Sequence, residues 1–400
     1  MHWWEHYGYR SQPFLDANQP LTTSDDLALF WGRAKELRSL KMSTDTETKT
    51  CLLIVGDAGV GKSTLQYKAF EREAGFIRVD LAKVSGRTPD REIARSCVQR
   101  LKELRTKAAD LDKKLRSRST SRTTGRTLKA APGGTGISSV KQTTETLDRD
   151  LELEEITKTA CERVSSKCKR ILLALDESDF LGDGTPTELS KLCNRMMALV
   201  SRPAVIILTH RDADHQFELD FKDTTSLVRS TFDGILQLSS LWKPGEGDVK
   251  ALLQPRFQRG RPSKATKFPL SDEACYWLDA LSHGNVREVL RYTRHVLMRA
   301  VGEQKPPLPA NYVLNRLLSD FPELDIDEEE ELAVLAYLKK RPSSVSDKSF
   351  QGVAGSRSSL QRRLESLEKR WLVERDAKGR GKRQTYKITQ KAEILLEWRP

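Results

Sequence analysis

The sequence lacks long apolar runs and paired cysteines. No segment approaches the roughly 18 consecutive apolar residues of a membrane span, and the first residues, MHWWEHYGYR, do not have the pattern of a secretory signal. Six cysteines are scattered without a CxxC pair, and six histidines form no ligand cluster, which argues against a structural zinc site. We therefore expect a soluble, cytoplasmic protein with reduced, mostly buried thiols and no membrane partner.

Acidic residues are outnumbered, with 56 against 68 basic residues and a net charge of +12. This excess favours a polyanionic partner without being specific for one. It is also uneven: between Arg357 and Lys391 there are twelve basic and four acidic residues. A chain of 400 residues is long enough for two or three domains with sizeable cores.

The segment Cys51–Leu65 is the most informative. Five apolar residues predict a short buried strand, GDAGVGKS follows, and the next residues predict a helix. Glycines let backbone amides wrap around a phosphate chain, and a helix N-terminus adds partial positive charge. A chance glycine-rich turn is the alternative, but the strand–loop–helix context favours a Walker A loop, in which Lys62 reaches the β- and γ-phosphates and Ser63 ligates Mg²⁺. The predicted nucleotide-binding residues are Gly56, Asp57, Ala58, Gly59, Val60, Gly61, Lys62, Ser63 and Thr64.

A second apolar run, Ile171–Leu175, ends in Asp176 and Glu177, which is a Walker B pattern. Asp176 is predicted to hold the Mg²⁺ shell, and Glu177 to orient and polarise the attacking water. The following strand ends in Thr209 and His210, polar side chains placed to reach the γ-phosphate or the water. Helices alternating with short apolar strands predict an α/β fold with a parallel sheet covered on both faces.

Three segments before the Walker B strand are less specific. The aromatic segment Trp3–Phe14 is expected to pack onto the domain that follows it, and a single helix is expected from Ser24 to about Leu37. Residues 113–129 hold seven basic and no acidic residues. They indicate a loop or disordered insertion over about 108–150, either solvated or touching DNA, in which residues 137–146 are compatible with an edge strand.

Two smaller domains are predicted after the nucleotide-binding domain of residues 1–242. Residues 243–320 indicate a small all-helical lid domain, and residues 326–400 indicate three helices and a glycine-flanked basic hairpin, the layout of a winged helix-turn-helix. In its third helix Leu360, Leu364, Leu367 and Trp371 have the spacing of a buried face. The predicted DNA-binding residues are Ser358, Ser359, Gln361, Arg362, Arg380, Lys382 and Arg383. A winged helix that makes only protein contacts is the alternative.

Taken together, the chain from about Arg33 to Lys391 resembles the AAA+ ATPases of the origin-recognition type, the archaeal replication initiators and their relatives. Trp31-Gly32-Arg33 is similar to that family's adenine-side box, the segment from Asp176 to Leu181 to its extended Walker B, and Gly284-Asn285-Val286-Arg287 to its sensor 2.

The resemblance implies roles for three arginines. Arg33 would contact the nucleotide, Arg287 would reach the γ-phosphate from the lid, and Arg229 would act as an arginine finger on ATP held by a neighbouring subunit. Thr209 and His210 depart from the family, whose sensor 1 is usually Asn. The long basic insertion and the N-terminal aromatic segment depart as well, the latter looking more like ATPases that accompany transposons or secretion systems.

Two functions follow as hypotheses. The first is an ATP- and Mg²⁺-dependent ATPase that binds double-stranded DNA, self-associates through its ATP site, hydrolyses slowly unless stimulated by oligomerisation or DNA, and positions another machine such as a helicase. The second is an ATPase regulator or assembly platform in transposition or defence that acts mainly through protein contacts, for example with a transposase.

Overall fold

The chain divides into two units, one formed by Pro20–Ser239 and the other by Met1–Gln19 with Ser240–Pro400. In the part of the chain that is described, no helix has both the length and the apolar character needed to cross a membrane. The computed structural model describes residues 2–14, 21, 24–45, 47–81, 89–120, 138–176, 186–200, 204–211, 226–239, 241, 247–262, 267–324, 326, 329–376 and 385–397.

Helices and strands are numbered in chain order. The helices are α1 (Trp3–His6), α2 (Ser24–Leu27), α3 (Ala34–Thr44), α4 (Lys62–Phe70), α5 (Pro89–Glu103), α6 (Ala109–Thr120), α7 (Ser138–Ser165), α8 (Pro186–Leu199), α9 (Leu227–Thr231), α10 (Val249–Arg259), α11 (Asp272–Ser282), α12 (Val286–Arg299), α13 (Ala310–Asp320), α14 (Glu329–Lys340), α15 (Lys348–Val353), α16 (Arg357–Lys369) and α17 (Gln390–Glu397). The strands are β1 (Thr50–Gly56), β2 (Phe76–Asp80), β3 (Ile171–Asp176), β4 (Ala204–His210), β5 (Gly234–Leu238), β6 (Val373–Asp376) and β7 (Thr385–Ile388).

Strands β1 to β5 form one parallel sheet in the order β2-β3-β4-β1-β5. Successive side chains of a strand point to opposite faces. Leu53 and Leu173 therefore pack in one cluster with α5, α7 and α8, while Leu52 and Leu172 pack in the other with α3 and α4. Both faces are covered, which is why the central strands are apolar throughout and confirms the predicted α/β fold.

The predicted loop over 108–150 is wrong wherever the structure describes it. Helix α6 covers residues 109–120 and α7 begins at residue 138, so residues 138–146 are helical and do not form an edge strand. Ala108 and Leu111 are buried against the sheet's helical layer, and the Arg163 guanidinium donates to both Asp110 carboxylate oxygens at 2.7 Å. These contacts outweigh the polar composition that suggested a loop.

The predicted helix from Ser24 to Leu37 is also wrong, because two helices occupy this stretch. Gly32 and Arg33 have left-handed backbone, with φ of 71° and 58°, and a right-handed helix cannot continue through them. Helix α2 ends at Leu27 and α3 begins at Ala34.

The aromatic N-terminal segment packs in the unit with residues 240–400 and not in Pro20–Ser239. The Tyr9 ring lies 5.2 Å from the Phe257 ring, and the Tyr7 hydroxyl donates to the Leu297 carbonyl at 3.0 Å. Although the segment comes first in the chain, its aromatic surface is buried by helices α10 and α12 and so extends the helical part.

The rest of this unit contains helices α10–α13, then α14–α16, an antiparallel β6–β7 pair and α17. On α16, Leu360, Leu364 and Leu367 are fully buried. The prediction for Trp371 is wrong, because it lies beyond the helix with a φ of 60° and is 37% exposed. Leu372, which is fully buried, takes the core position after the helix.

Candidate nucleotide-binding site

The site forms at the C-terminal ends of the parallel strands β1, β3 and β4. Strand β4 lies between β1 and β3, and its Thr209 pairs in register with Ile54 of β1. Leu208 of β4 pairs with Leu175 of β3, so Asp176, the last residue of β3, lies at the level of Thr209. The topology therefore brings the two predicted phosphate-site motifs together.

The phosphate loop depends on glycine at two positions. Gly56 has a φ of 150°, and a Cβ there would lie 2.3 Å from the Leu238 carbonyl oxygen, so no larger residue fits. Gly61 has a φ of 96° and leads into α4, which begins at Lys62. The Lys62 ammonium donates to the carbonyls of Gly56 and Asp57 at 2.6 and 2.8 Å. This places a positive charge and a helix N-terminus on one loop, as anion binding requires.

Asp176 is the centre of the site and its side chain is fully buried. Its Oδ1 accepts hydrogen bonds from the Ser63 hydroxyl at 2.7 Å and from the Thr209 hydroxyl at 2.6 Å. The group is thus a carboxylate flanked by hydroxyls at the mouth of a phosphate loop. Oxygen donors of this kind suit Mg²⁺, so Ser63 and Asp176 fit the predicted metal ligands.

Arg78 was missed by the sequence analysis. From the middle of β2 it donates to Asp176 Oδ2 through Nε at 3.2 Å and Nη2 at 2.6 Å, and to the Tyr67 hydroxyl through Nη1. An arginine in the middle of a short, mostly apolar strand was the signal that could have found it, since a buried cation needs a buried anion.

The side chain of Arg33 contacts the backbone of the phosphate loop. Its guanidinium donates to the carbonyls of Val60 and Ser239 and forms an ion pair with Glu36 at 2.9 Å. Arg33 thereby links the start of α3, the loop and the end of β5. Its predicted contact with the nucleotide stays a prediction.

The other predicted site residues are distributed as follows. His210 is buried at the end of β4, and Arg229 is exposed on α9, the short helix that precedes β5. Arg287 belongs to the other unit, where it is exposed in the first turn of α12 behind the cap residue Asn285. Glu177 lies outside the described residues. The structure thus brings together Lys62, Ser63, Asp176 and Thr209.

On α16, the predicted DNA-binding face is only partly available. Ser358 and Arg362 are exposed, Ser359 accepts a hydrogen bond from Arg363, and Gln361 donates to Glu365 at 2.9 Å. Arg363 and Arg370 form ion pairs with Glu330 and Glu331 of α14. The acidic start of α14 thus neutralises Arg363 of α16 and Arg370, the residue that follows α16. The predicted residues Arg380, Lys382 and Arg383 lie outside the described residues.

Comparisons with known proteins agree with this architecture. Residues 44–217 match the family model described as an AAA domain. A search of curated protein sequences finds no significant match. The fold is similar to a Walker-type ATPase of Pyrococcus abyssi (TM-score 0.50, 16% identity, covering 95% of this chain and 99% of that one). It is also similar to the Aeropyrum pernix ORC2 protein (0.54, 12%, 97% and 96%) and, at a lower score, to the ORC1 protein of the same organism solved with DNA (0.44, 14%, 94% and 94%). Residues 44–217 are thus similar to an AAA domain, and the parallel five-stranded sheet, whose strand β5 lies beyond residue 217, has the AAA+ P-loop fold.

Proposed function

We propose that this protein is a Mg²⁺-dependent ATPase whose nucleotide state controls its engagement of double-stranded DNA. The observation that carries the ATPase part is the sharing of Asp176 Oδ1 by Ser63 and Thr209 beside the Lys62 loop. It joins Walker A, Walker B and the sensor 1 position in one hydrogen-bonded group. The Aeropyrum pernix ORC2 protein, which has a similar fold, was solved as ADPNP and ADP complexes.

Each residue then has a defined task. The loop amides and Lys62 bind the β- and γ-phosphates, and the two hydroxyls hold the Asp176 carboxylate in a fixed orientation. A bound Mg²⁺, held by Ser63 and Asp176, would neutralise phosphate charge. Glu177, the residue after Asp176, orients the attacking water. Thr209, at the end of β4, holds the Asp176 carboxylate through its hydroxyl.

The DNA-binding part rests on the C-terminal elements. Helices α14–α16 followed by the β6–β7 pair have the order of a winged helix-turn-helix, and the exposed Arg362 and Ser358 lie in the N-terminal half of α16. Twelve basic and four acidic residues between positions 357 and 391 supply the electrostatic attraction. We infer that such a protein acts in replication initiation, with a helicase as its partner.

A second candidate function has its own supporting observation. The pairing of Arg363 and Arg370 with Glu330 and Glu331 compensates two positive charges on α16 and at its end, which favours a surface that contacts protein. An ATPase regulator or assembly platform in transposition or defence would have that property.

The ATPase proposal is tested by comparing the parent with Glu177→Gln. Because only the water-orienting group changes, the variant should bind an ATP analogue as the parent does and release phosphate at a rate near background. Equal turnover in the two proteins would overturn the assignment of Glu177. A parent that binds no nucleotide would overturn the function itself.

A further inference from the structure

The two oxygens of the Asp176 carboxylate have separate partners. Oδ1 accepts from the hydroxyls of Ser63 and Thr209, whereas Oδ2 accepts only charged donors from Arg78, at 2.6 and 3.2 Å, in the described part of the chain. The Asp176 side chain is 0% exposed and that of Arg78 is 18% exposed. The negative charge of Asp176 is therefore already compensated inside the protein by Arg78 of the neighbouring strand β2.

Arg78 is held where it is by more than this ion pair. In the β2–β3 register Arg78 pairs with Ala174 and Asp80 with Asp176, which sets the guanidinium beside the end of β3. Its carbon Cζ lies 4.6 Å above the Tyr67 ring, on the helix that begins at Lys62, and Nη1 donates to the Tyr67 hydroxyl. Arg78, on β2, thus connects α4, the helix after the phosphate loop, to the end of β3.

Its charge state does not change in this setting. Burial alone would lower the pKa of Arg78, but the carboxylate of Asp176 and the hydroxyl of Tyr67 raise that pKa by more. An arginine is also effectively always protonated. A permanent cation therefore lies against Oδ2 of the carboxylate that a divalent cation would use.

We propose that Arg78 is the resident counter-ion of Asp176, a positioning residue that competes with Mg²⁺ for this carboxylate and so makes metal binding depend on the nucleotide phosphates. The proposal rests on the proposed ATP site and adds to it. Because Arg78 compensates the charge of Asp176, the carboxylate alone attracts a cation weakly. When phosphates supply further negative charge, the metal binds with them, and Arg78 keeps Oδ1 directed at Ser63.

The test removes the charge of Arg78 and measures metal binding directly. The probe is Mn²⁺, titrated into the nucleotide-free protein and followed by electron paramagnetic resonance. We expect Arg78→Gln to bind Mn²⁺ at least about tenfold more tightly than the parent, because an uncompensated carboxylate replaces an ion pair. The Mg²⁺ concentration that gives half-maximal binding of a fluorescent ATP analogue should fall by a similar factor.

Two further variants complete the design. Arg163→Gln is the matched control, because Arg163 also gives two donors to one carboxylate, that of Asp110, which is not part of the candidate nucleotide-binding site, and it should behave as the parent. Arg78→Lys keeps the positive charge and loses the planar, two-donor geometry of the guanidinium. Its Mn²⁺ affinity should therefore be nearer to that of the parent than to that of Arg78→Gln, and it replaces Arg78→Gln in the test if the glutamine variant does not fold.

The outcomes separate this inference from the function on which it rests. A parent that binds the analogue, with Arg78→Gln binding Mn²⁺ equally or more weakly, would overturn the counter-ion role and leave the ATPase proposal standing. If Arg78→Gln does not fold, Mn²⁺ binding by Arg78→Lys that is weaker than the parent's would overturn the role in the same way. A parent that binds no analogue at any Mg²⁺ concentration would overturn both.

Discussion

The imidazole of His283 packs against the indole of Trp371, with ring centroids 4.8 Å apart and ring planes inclined by 34°. Both residues have left-handed backbone, with φ of 52° and 60°. His283 is the residue after α11, just before the turn that leads to Arg287, and Trp371 follows α16. The contact therefore joins the candidate sensor 2 turn to the end of the candidate recognition helix.

This contact predicts a pH dependence of stability. Burial, and after it the nearby Lys391, lowers the pKa of His283 to about 4, with Glu374 opposing the shift. The ordinary value is about 6.5. Since the folded state favours the neutral ring, this contribution is fully present above about pH 6.5 and is lost as the pH falls toward about 4.

His283→Asn tests this directly, because asparagine tolerates left-handed backbone and does not titrate. Between about pH 7 and about pH 4.5, the variant should lose about 2 kcal/mol less of its unfolding free energy than the parent loses. Urea unfolding at both pH values measures the difference. An identical loss in the two proteins would contradict the account of His283.

Nucleotide binding should depend on Lys62 and not on Lys68, a second lysine of the same helix. Lys62→Ala leaves the β- and γ-phosphates without their cation and should abolish binding of a fluorescent ATP analogue. Lys68→Ala is the matched control, since Lys68 lies on the same helix and donates to the Leu27 carbonyl. Undiminished binding by Lys62→Ala, or equal loss in both variants, would remove the phosphate-loop assignment.

Hydrolysis should rise with protein concentration if Arg229 completes a neighbour's site. Arginine fingers contribute on the order of 10³–10⁵ in rate where they act. We expect Arg229→Ala to bind nucleotide normally and to hydrolyse it slowly. When it is mixed with Lys62→Ala, activity should partly return, because a mixed interface combines one intact pocket with one intact finger. Turnover that is independent of concentration, with Arg229→Ala as fast as the parent, would exclude a finger in trans.

Arg362 and Arg363 are neighbours with different expected effects on DNA. Arg362 is exposed, and Arg362→Ala should cost roughly 1–3 kcal/mol of DNA affinity and relax sequence preference. Arg363 is paired with Glu330, so Arg363→Ala should reduce protein stability with less effect on DNA affinity.

The basic hairpin should act through phosphates. Each phosphate contact contributes about −0.9 to the slope of log affinity against log salt. Arg380→Ala should therefore weaken all sequences alike and flatten the slope by about one contact. Fluorescence anisotropy at several salt concentrations measures both arginine predictions. Equal affinity in the parent, Arg362→Ala and Arg380→Ala would favour the protein-contact function.

The sequence was sufficient for the parts of the fold that depend on local pattern. Continuous apolar runs predict buried parallel strands, and the glycine spacing before Lys62 predicts the loop, because a Cβ at Gly56 has no room beside Leu238. Asp176 and Thr209 could each be placed at a strand end. Their shared hydrogen-bonded group then follows from the strand order.

Features that depend on tertiary contacts were missed. From its sequence helix α6 resembles a basic loop. Tertiary contacts of Leu111 and of Ala108, the residue before the helix, together with the Arg163–Asp110 pair, hold it in the helical layer. Trp371 itself has left-handed backbone and therefore lies outside α16, which the periodicity of apolar residues does not reveal. Arg78 was passed over because its partner, Asp176, is 98 residues away in the chain.

The most direct test of the central claim is the affinity of the full chain for double-stranded genomic fragments with ATP analogue, with ADP and without nucleotide, at two salt concentrations. The account predicts that affinity changes between nucleotide states in the parent, that Lys62→Ala stays at the nucleotide-free value, and that affinity falls with salt in all states. DNA affinity that is the same in all three nucleotide states, or no DNA binding at the lower salt concentration, would contradict it.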